Sequence, residues 1–241
     1  MPAPRHLNLQ AIDRSLSEVQ GLFTVLSERF FEPRDPLMDS VRNNLLVGYA
    51  LIDDYVARGI DLFSLQNVGL LLEINATVLC GTDPAKRAEY DKHIAATEKR
   101  FFSNEEGSIK DLLEWYGAHR NDSIWKRAAG VYIRILSKPQ LFIEGNHRSG
   151  SLIVSYLLMR DGFPPFVLTL DNAASYFNPS TVIRNLPKRG FKMLFKIPGI
   201  KKKFARFLEA QAKCLSGMLL ADQAPQSGVG ARRAVPLREP L

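Results

Sequence analysis

The chain has little cysteine, no long apolar run, and no acidic residue where its positive charge is densest. Its two cysteines in 241 residues, Cys80 and Cys214, are too few and too far apart for a disulfide framework or a metal knuckle. Both read as structural thiols of a reducing compartment. No apolar stretch reaches the roughly 18 residues that a bilayer-spanning helix needs. No amino-terminal stretch joins basic residues to an apolar run and a small-residue cleavage site, so the expected location is cytoplasmic. Between Arg184 and Arg206 there is no Asp or Glu, while Arg184, Lys188, Arg189, Lys192, Lys196, Lys201, Lys202, Lys203 and Arg206 all fall there. The formal net charge of +7 is therefore concentrated, and such a block attracts phosphates or acidic surfaces. No internal repeat is present.

A hydrophobic content of 46% is ample for a core, and the periodicity is helical almost throughout. Residues 41 to 58 place Leu45, Tyr49, Ile52 and Val56 on one stripe, with Ser40 as the expected N-cap. Residues 64 to 80 read as one widely buried helix opened by Ser64. Asp83 caps the next helix, with Pro84 at its first position, and that helix is expected to run to about Phe102. Ser108 opens a short helix carrying Leu112, Leu113, Trp115 and Tyr116. Ile124 to Leu136 forms another, and Ser151 to Met159 is apolar nearly all round, which puts it in the middle of the fold. Gly162-Phe163-Pro164-Pro165 stops it. Phe166 to Leu170 reads as a short extended segment. Short helices interrupted by Pro179, Pro187 and Pro198 follow. From about Ser216 the composition turns to Ala, Gly, Pro, Gln and Arg without periodicity, the pattern of a disordered tail. Trp115, Trp125, Tyr132 and Tyr156 are expected in the core. His93 and His119 lack partners at ligand spacing.

The stretch richest in chemistry is Phe142-Ile143-Glu144-Gly145-Asn146-His147-Arg148, a turn entering an apolar helix. A helix amino-terminus presents unpaired N–H groups and the positive end of the dipole, so a loop entering one is a natural anion site. Gly145 lets the backbone approach a ligand closely. Arg148 offers a fork of donors to phosphate, Asn146 a neutral donor, and Glu144 a carboxylate for a divalent ion. The plainer alternative is a helix–turn–helix whose Asn and Arg only cap and pair. His147 reads either as a partly exposed histidine at a helix start or as a base beside a phosphate pocket.

Gln140 to Ser151 resembles the signature H-P-F-x-[D/E]-G-N-G-R-x-x-R of the Fic/Doc (Fido) family, with matches at Phe142, Glu144, Gly145, Asn146 and Arg148. Gly162-Phe163-Pro164-Pro165 is similar to the G-[YF]-P-P that follows that motif helix. The resemblance implies an all-α Fic-like domain over residues 40–215, with a helical amino-terminal extension over 1–39 and a flexible tail over 216–241. It implies a Mg²⁺–ATP or other nucleotide cofactor, with Glu144 holding the metal. Gly145, Asn146, Arg148, Ser149 and Gly150 would form the nucleotide site. The implied activity is transfer of AMP or a related phosphate group to a protein target. Three departures bear on it. Gln140 stands where the family has its histidine base, His147 replaces a glycine, and Ser151 replaces the last arginine. Gln140 and His147 are thus the candidate catalytic positions of a divergent transferase. The alternative is an inactive binding module working through protein partners. The family's inhibitory [S/T]-x-x-x-E-[G/N] helix is approached by Thr24 and Glu28, and by Ser103 to Gly107, without a strict match. The basic block reads first as a solvated face, then as a docking surface for an acidic protein or a nucleotide tail. Nucleic acid and membrane are not the expected partners.

Overall fold

In a computed structural model the described residues are 6–188 and 191–220. Arg189, the side chain of Lys192, and residues 221–241 of the expected tail lie outside them. Eleven α-helices account for most of the described chain: α1 (Leu9–Gly21), α2 (Phe23–Ser27), α3 (Asp39–Ala57), α4 (Leu70–Cys80), α5 (Pro84–Glu89), α6 (Asp91–Phe101), α7 (Ile109–Ala118), α8 (Ile124–Leu136), α9 (Asn146–Arg160), α10 (Ala173–Arg184) and α11 (Phe191–Cys214). No β-strand forms among the described residues, only two isolated bridges. The fold is all-α, and no described helix is long and apolar enough to cross a membrane.

The fold is arranged around α9. From Ser149 to Met159 every residue of this helix is buried, as its unbroken apolar run requires, and α8, α3 and α4 surround it. Helix α1 adds Ile12 and Leu16 to the same core, and α11 closes it by stacking Phe204 on Tyr132 at 4.9 Å. Tyr132 and Tyr156 are fully buried, while Trp115 and Trp125 pack partly buried against the core.

Several sequence expectations shift. Helix α3 starts at Asp39, with Ser40 inside it and Tyr55 more deeply buried than Val56. Residues 64–69 are turns, not helix. Ser64 Oγ donates to Asp61 O, Asn67 N bonds Ser64 O and Leu70 N bonds Asn67 O, a tighter spacing than an α-helix allows, and Gly69 immediately precedes α4. Asp83 caps as expected by accepting from Ala85 N, but a break at Tyr90 divides the following helix in two, with Asp91 at the favoured amino end of α6. Pro179 and Pro198 lie inside α10 and α11 and do not end them. Each removes one backbone donor, yet the flanking turns are fixed by burial, of Tyr176, Ser180 and Ile183 in α10 and of Phe204, Ala205 and Leu208 in α11.

The segment after the two prolines is held without a sheet. Tyr49 Oη and Ser155 Oγ both donate to Phe166 O, Asn172 Nδ2 donates to Val167 O, and Ser15 Oγ donates to Leu168 O. Side chains thus satisfy the carbonyls that a neighbouring strand would otherwise take. Ser216 to Leu220, the first residues of the expected tail, are tied to the start of the chain. Leu7 and Leu219 form an antiparallel bridge, with Asn8 N on Met218 O and Leu220 N on His6 O.

Helices α7 and α8 cross where a glycine leaves room for Trp115. A Cβ at Gly130 would sit 1.9 Å from Trp115 Cη2. The indole cannot back away freely, because His119 stacks on it at 4.1 Å and the Lys201 ammonium lies 4.9 Å from its centroid. Gly130→Ala should therefore destabilise the fold by about 1–3 kcal/mol despite alanine's better helix propensity. Urea denaturation followed by tryptophan fluorescence measures this, and a variant as stable as the parent would contradict the crossing.

Candidate functional site

The motif loop joins the end of α8 to the start of α9, and its turn depends on Gly145, whose φ of +74° is left-handed. A Cβ there would also meet Asn75 Nδ2 at 3.0 Å. No side chain caps α9, so its first N–H groups remain for an anion.

Asn146 is buried, with its carboxamide turned back into the loop. Its Oδ1 accepts from Phe142 N at 3.0 Å, and its Nδ2 donates to Phe142 O at 2.8 Å and to Gln140 Oε1 at 3.3 Å. Phe142 N–H can only donate, so the amide orientation is fixed. The expectation that this side chain meets phosphate is not met in this arrangement, since its donors serve the loop. Gln140 Nε2 donates to Leu136 O at 3.2 Å, so this glutamine joins the end of α8 to Asn146 and has no proton-accepting nitrogen. Phe142 is a core anchor stacked on Phe101 at 5.8 Å.

His147 is held at both ring nitrogens. Arg34 Nη1 lies 3.1 Å from Nε2, and Tyr132 Oη lies 3.2 Å from Nδ1. A guanidinium only donates, so Nε2 accepts, and the neutral ring carries its proton on Nδ1, directed at Tyr132. Burial pushes the imidazole down to about 3, reinforced by the cations Arg34, Arg184 and Arg148. The lone pair that a base would use is occupied, which argues against the base reading of His147. Sequence reasoning did not see this, because Arg34 is 113 residues away.

Arg148 Nη1 donates to Val78 O at 2.6 Å, a carbonyl in the last turn of α4, where a cation suits the helix dipole. Burial lowers its proton affinity, and Glu144 opposes that shift. The Glu144 side chain is exposed, while its carbonyl accepts from Asn75 Nδ2 at 2.9 Å. The same amide donates to Ser149 Oγ at 3.0 Å, so buried Asn75 braces the loop from α4. Ser149 and Gly150 are buried under the loop and carry packing. A Cβ on Gly150 would come within 3.0 Å of the Tyr132 ring. Ser151 Oγ donates to Arg148 O within its own helix. Among the described residues no group of three His, Cys, Asp or Glu could hold a metal.

Beside the start of α9 lies a cavity of about 330 Å³. Gly145, Asn146, His147, Arg148 and Ser151 form one wall, and Arg34 to Leu37 cross another. Leu16, Phe23, Leu45, Tyr49, Phe166 and Phe177 make most of the remainder apolar. The space thus has an apolar body and a polar end that carries Arg34 and Arg148, with Asp35 at its edge. Of the two approximate inhibitory matches, Glu28 follows α2 and is exposed, while Glu106 of the second is half-buried and its carbonyl accepts from Arg100.

The basic block is not one face. Lys188 is buried, its Nζ donating to Pro139 O at 2.5 Å and Gly107 O at 3.3 Å, and burial pushes it down to about 7. Arg184 pairs with Glu32, and Lys201 pairs with Asp122 at 2.8 Å. Lys196, Lys202, Lys203 and Arg206 are the exposed remainder. Cys80 is buried and bonds Ala76 O, and Cys214 is exposed.

His147 makes stability depend on pH. An imidazole near 6.5 when unfolded and near 3 when folded lets the unfolded chain bind more protons between those values. Stability should fall as pH drops from 6.5 towards 3, by at most about 1.4 kcal/mol per pH unit from this group. His147→Gln should show a shallower loss than the parent in urea titrations at pH 7, 6 and 5. Parallel profiles would mean that the ring is not held neutral.

No protein-family profile matches the chain. Over 72 residues it is 32% identical to protein adenylyltransferase fic-1 of Caenorhabditis elegans and 31% identical to the protein of that name in Caenorhabditis briggsae. Each match covers 29% of this chain and only 14% of the relative's length. A solved fragment of Fic-1 from C. elegans overlays 87% of this chain and 61% of its own, with a TM-score of 0.49 at 20% identity. The sequence similarity to two adenylyltransferases over this short stretch supports a Fic-like domain in this chain, in keeping with the Glu144-Gly145-Asn146 and Arg148 pattern at the start of a buried helix.

Proposed function

We propose that the chain binds a nucleotide or another phosphate-bearing ligand in the cavity beside α9, and that it transfers AMP or a related phosphate group to a protein hydroxyl only slowly. The observation that carries this reading is the shape and charge of that cavity, with the uncapped start of α9 and Arg148 at one end and apolar side chains around the rest. Phosphate suits the first and a nucleobase the second. Slow chemistry follows from the loop's proton acceptors. Gln140, read at the place of the family's base, is an amide bonded to Leu136 and Asn146, and the free lone pair of His147 is taken by Arg34. A positioned base contributes roughly 10²–10⁴ in rate.

A divalent ion would have to be carried in by the nucleotide, since Glu144 does not itself line the cavity. Glu144 is exposed and offers a single carboxylate, and Mg²⁺ is commonly held by one or two carboxylates plus substrate phosphates. When bound there it would neutralise phosphate charge. Arg148 and the backbone from Gly145 to Arg148 would orient the phosphates.

Calorimetric titration of the full chain with ATP, GTP, CTP and UTP, with and without Mg²⁺, tests the binding. At least one nucleotide should bind below millimolar concentration, more tightly with Mg²⁺, and Glu144→Gln should remove the Mg²⁺ effect. Gln140→His should raise transfer of labelled AMP to protein by at least roughly tenfold. No binding by any of the four would overturn the reading in favour of a module that acts through protein partners alone.

A further inference from the structure

We propose that Arg34, carried on the connection before α3 and held by His147, is a second phosphate-binding cation of the cavity, acting with Arg148 and the amino-terminus of α9. This rests on the reading of the cavity as a phosphate-ligand site and adds to it a residue outside the motif. Arg34 lines the same cavity as Arg148 and Ser151. Its hydrogen bonds go to neutral acceptors: His147 Nε2 at 3.1 Å, Thr181 Oγ1 at 2.8 Å and Phe177 O at 3.4 Å. Among the described residues no carboxylate pairs with it, and nearby Glu32 is paired with Arg184.

A half-buried guanidinium with no directly paired carboxylate is costly, and its proton affinity is lowered first by burial and then by Arg184, a shift that nearby Glu32 opposes only in part. The fork is nevertheless held firmly, resting 5.1 Å over the Phe177 ring while His147 is fixed in turn by Tyr132. Its Nε–H and the second hydrogen on Nη1 have no protein acceptor among the described residues, which leaves donors for an anion. An anion bridging Arg34 and Arg148 would compensate both charges at once.

This assignment accounts for two unusual residues together. Ser151 contributes no charge to the cavity, its hydroxyl being turned back on Arg148 O. His147 is the residue whose lone pair fixes the guanidinium that does contribute charge. His147 is thus a positioning residue, and its neutrality is a requirement of the role, since an imidazolium would repel Arg34.

The test is calorimetry on the full chain with three probes: ATP, inorganic pyrophosphate and adenosine. Arg34→Gln should weaken ATP and pyrophosphate roughly 10- to 100-fold and leave adenosine unchanged. His147→Ala should weaken the same two ligands, and adding it to Arg34→Gln should cost nothing further, because its effect passes through Arg34. Equal weakening of ATP and adenosine would mean that Arg34 only holds the cavity wall, and the proposal would fall. Unchanged ATP binding in Arg34→Gln, alongside loss in Arg148→Gln, would remove Arg34 and leave the phosphate-site reading standing. Failure of the parent protein to bind either ATP or pyrophosphate would overturn both. Should Arg34→Gln not fold, Arg34→Lys replaces it; several-fold weaker ATP with unchanged adenosine supports the proposal, and parity with the parent for both ligands overturns it.

Discussion

The Asn146 carboxamide closes the loop on which the rest of the site depends. By accepting from Phe142 N and donating to Phe142 O it stands in for a strand partner, and by reaching Gln140 Oε1 it joins the loop to the last turn of α8. Three further contacts hold the same short stretch from outside. Asn75 takes the Glu144 carbonyl, Arg100 takes the Gln140 carbonyl, and Lys188 takes the Pro139 carbonyl. The N–H groups of Leu141 and Phe142 go to Ile135 O and Asn146 Oδ1, so the donors left for a ligand are those at the uncapped start of α9. On the proposed reading, anion binding would rest on these backbone donors as much as on any one charged side chain.

What could be read from the sequence was local. The run from Ser151 to Met159 foretold a central helix because no face of it is polar, and Asp83-Pro84 foretold a capped start because both residues act within one turn. The motif placed Gly145 at a turn because little but glycine tolerates its φ. What escaped were effects that act at long range. Proline statistics promised breaks at Pro179 and Pro198, but burial of the flanking turns outweighed the loss of one donor each. Lys188 looked like part of a solvated face, yet it lies inside because two carbonyls, one of them 81 residues away, receive its ammonium. Arg34 belonged to no recognisable pattern, and only the folded chain brings it to His147.

The distribution of charge around the cavity follows one logic. Glu32 compensates Arg184, and the end of the α4 helix partly compensates Arg148, while Arg34 has only neutral partners. Beside apolar walls a charge is screened less, and so is worth more, than on the exposed lysines of α11. Burial first, and these arginines second, keep His147 without its proton. Each positive charge beside His147 raises the cost of protonating its ring, so a phosphate site built on these arginines would not keep a cationic acid or a poised imidazole base beside it. On the proposed reading, the lack of a base and the pull on an anion would both follow from the same cluster of arginines. Chemistry at this loop would then draw its proton acceptor from the ligand's own phosphates or from the incoming target, with the chain supplying binding and orientation.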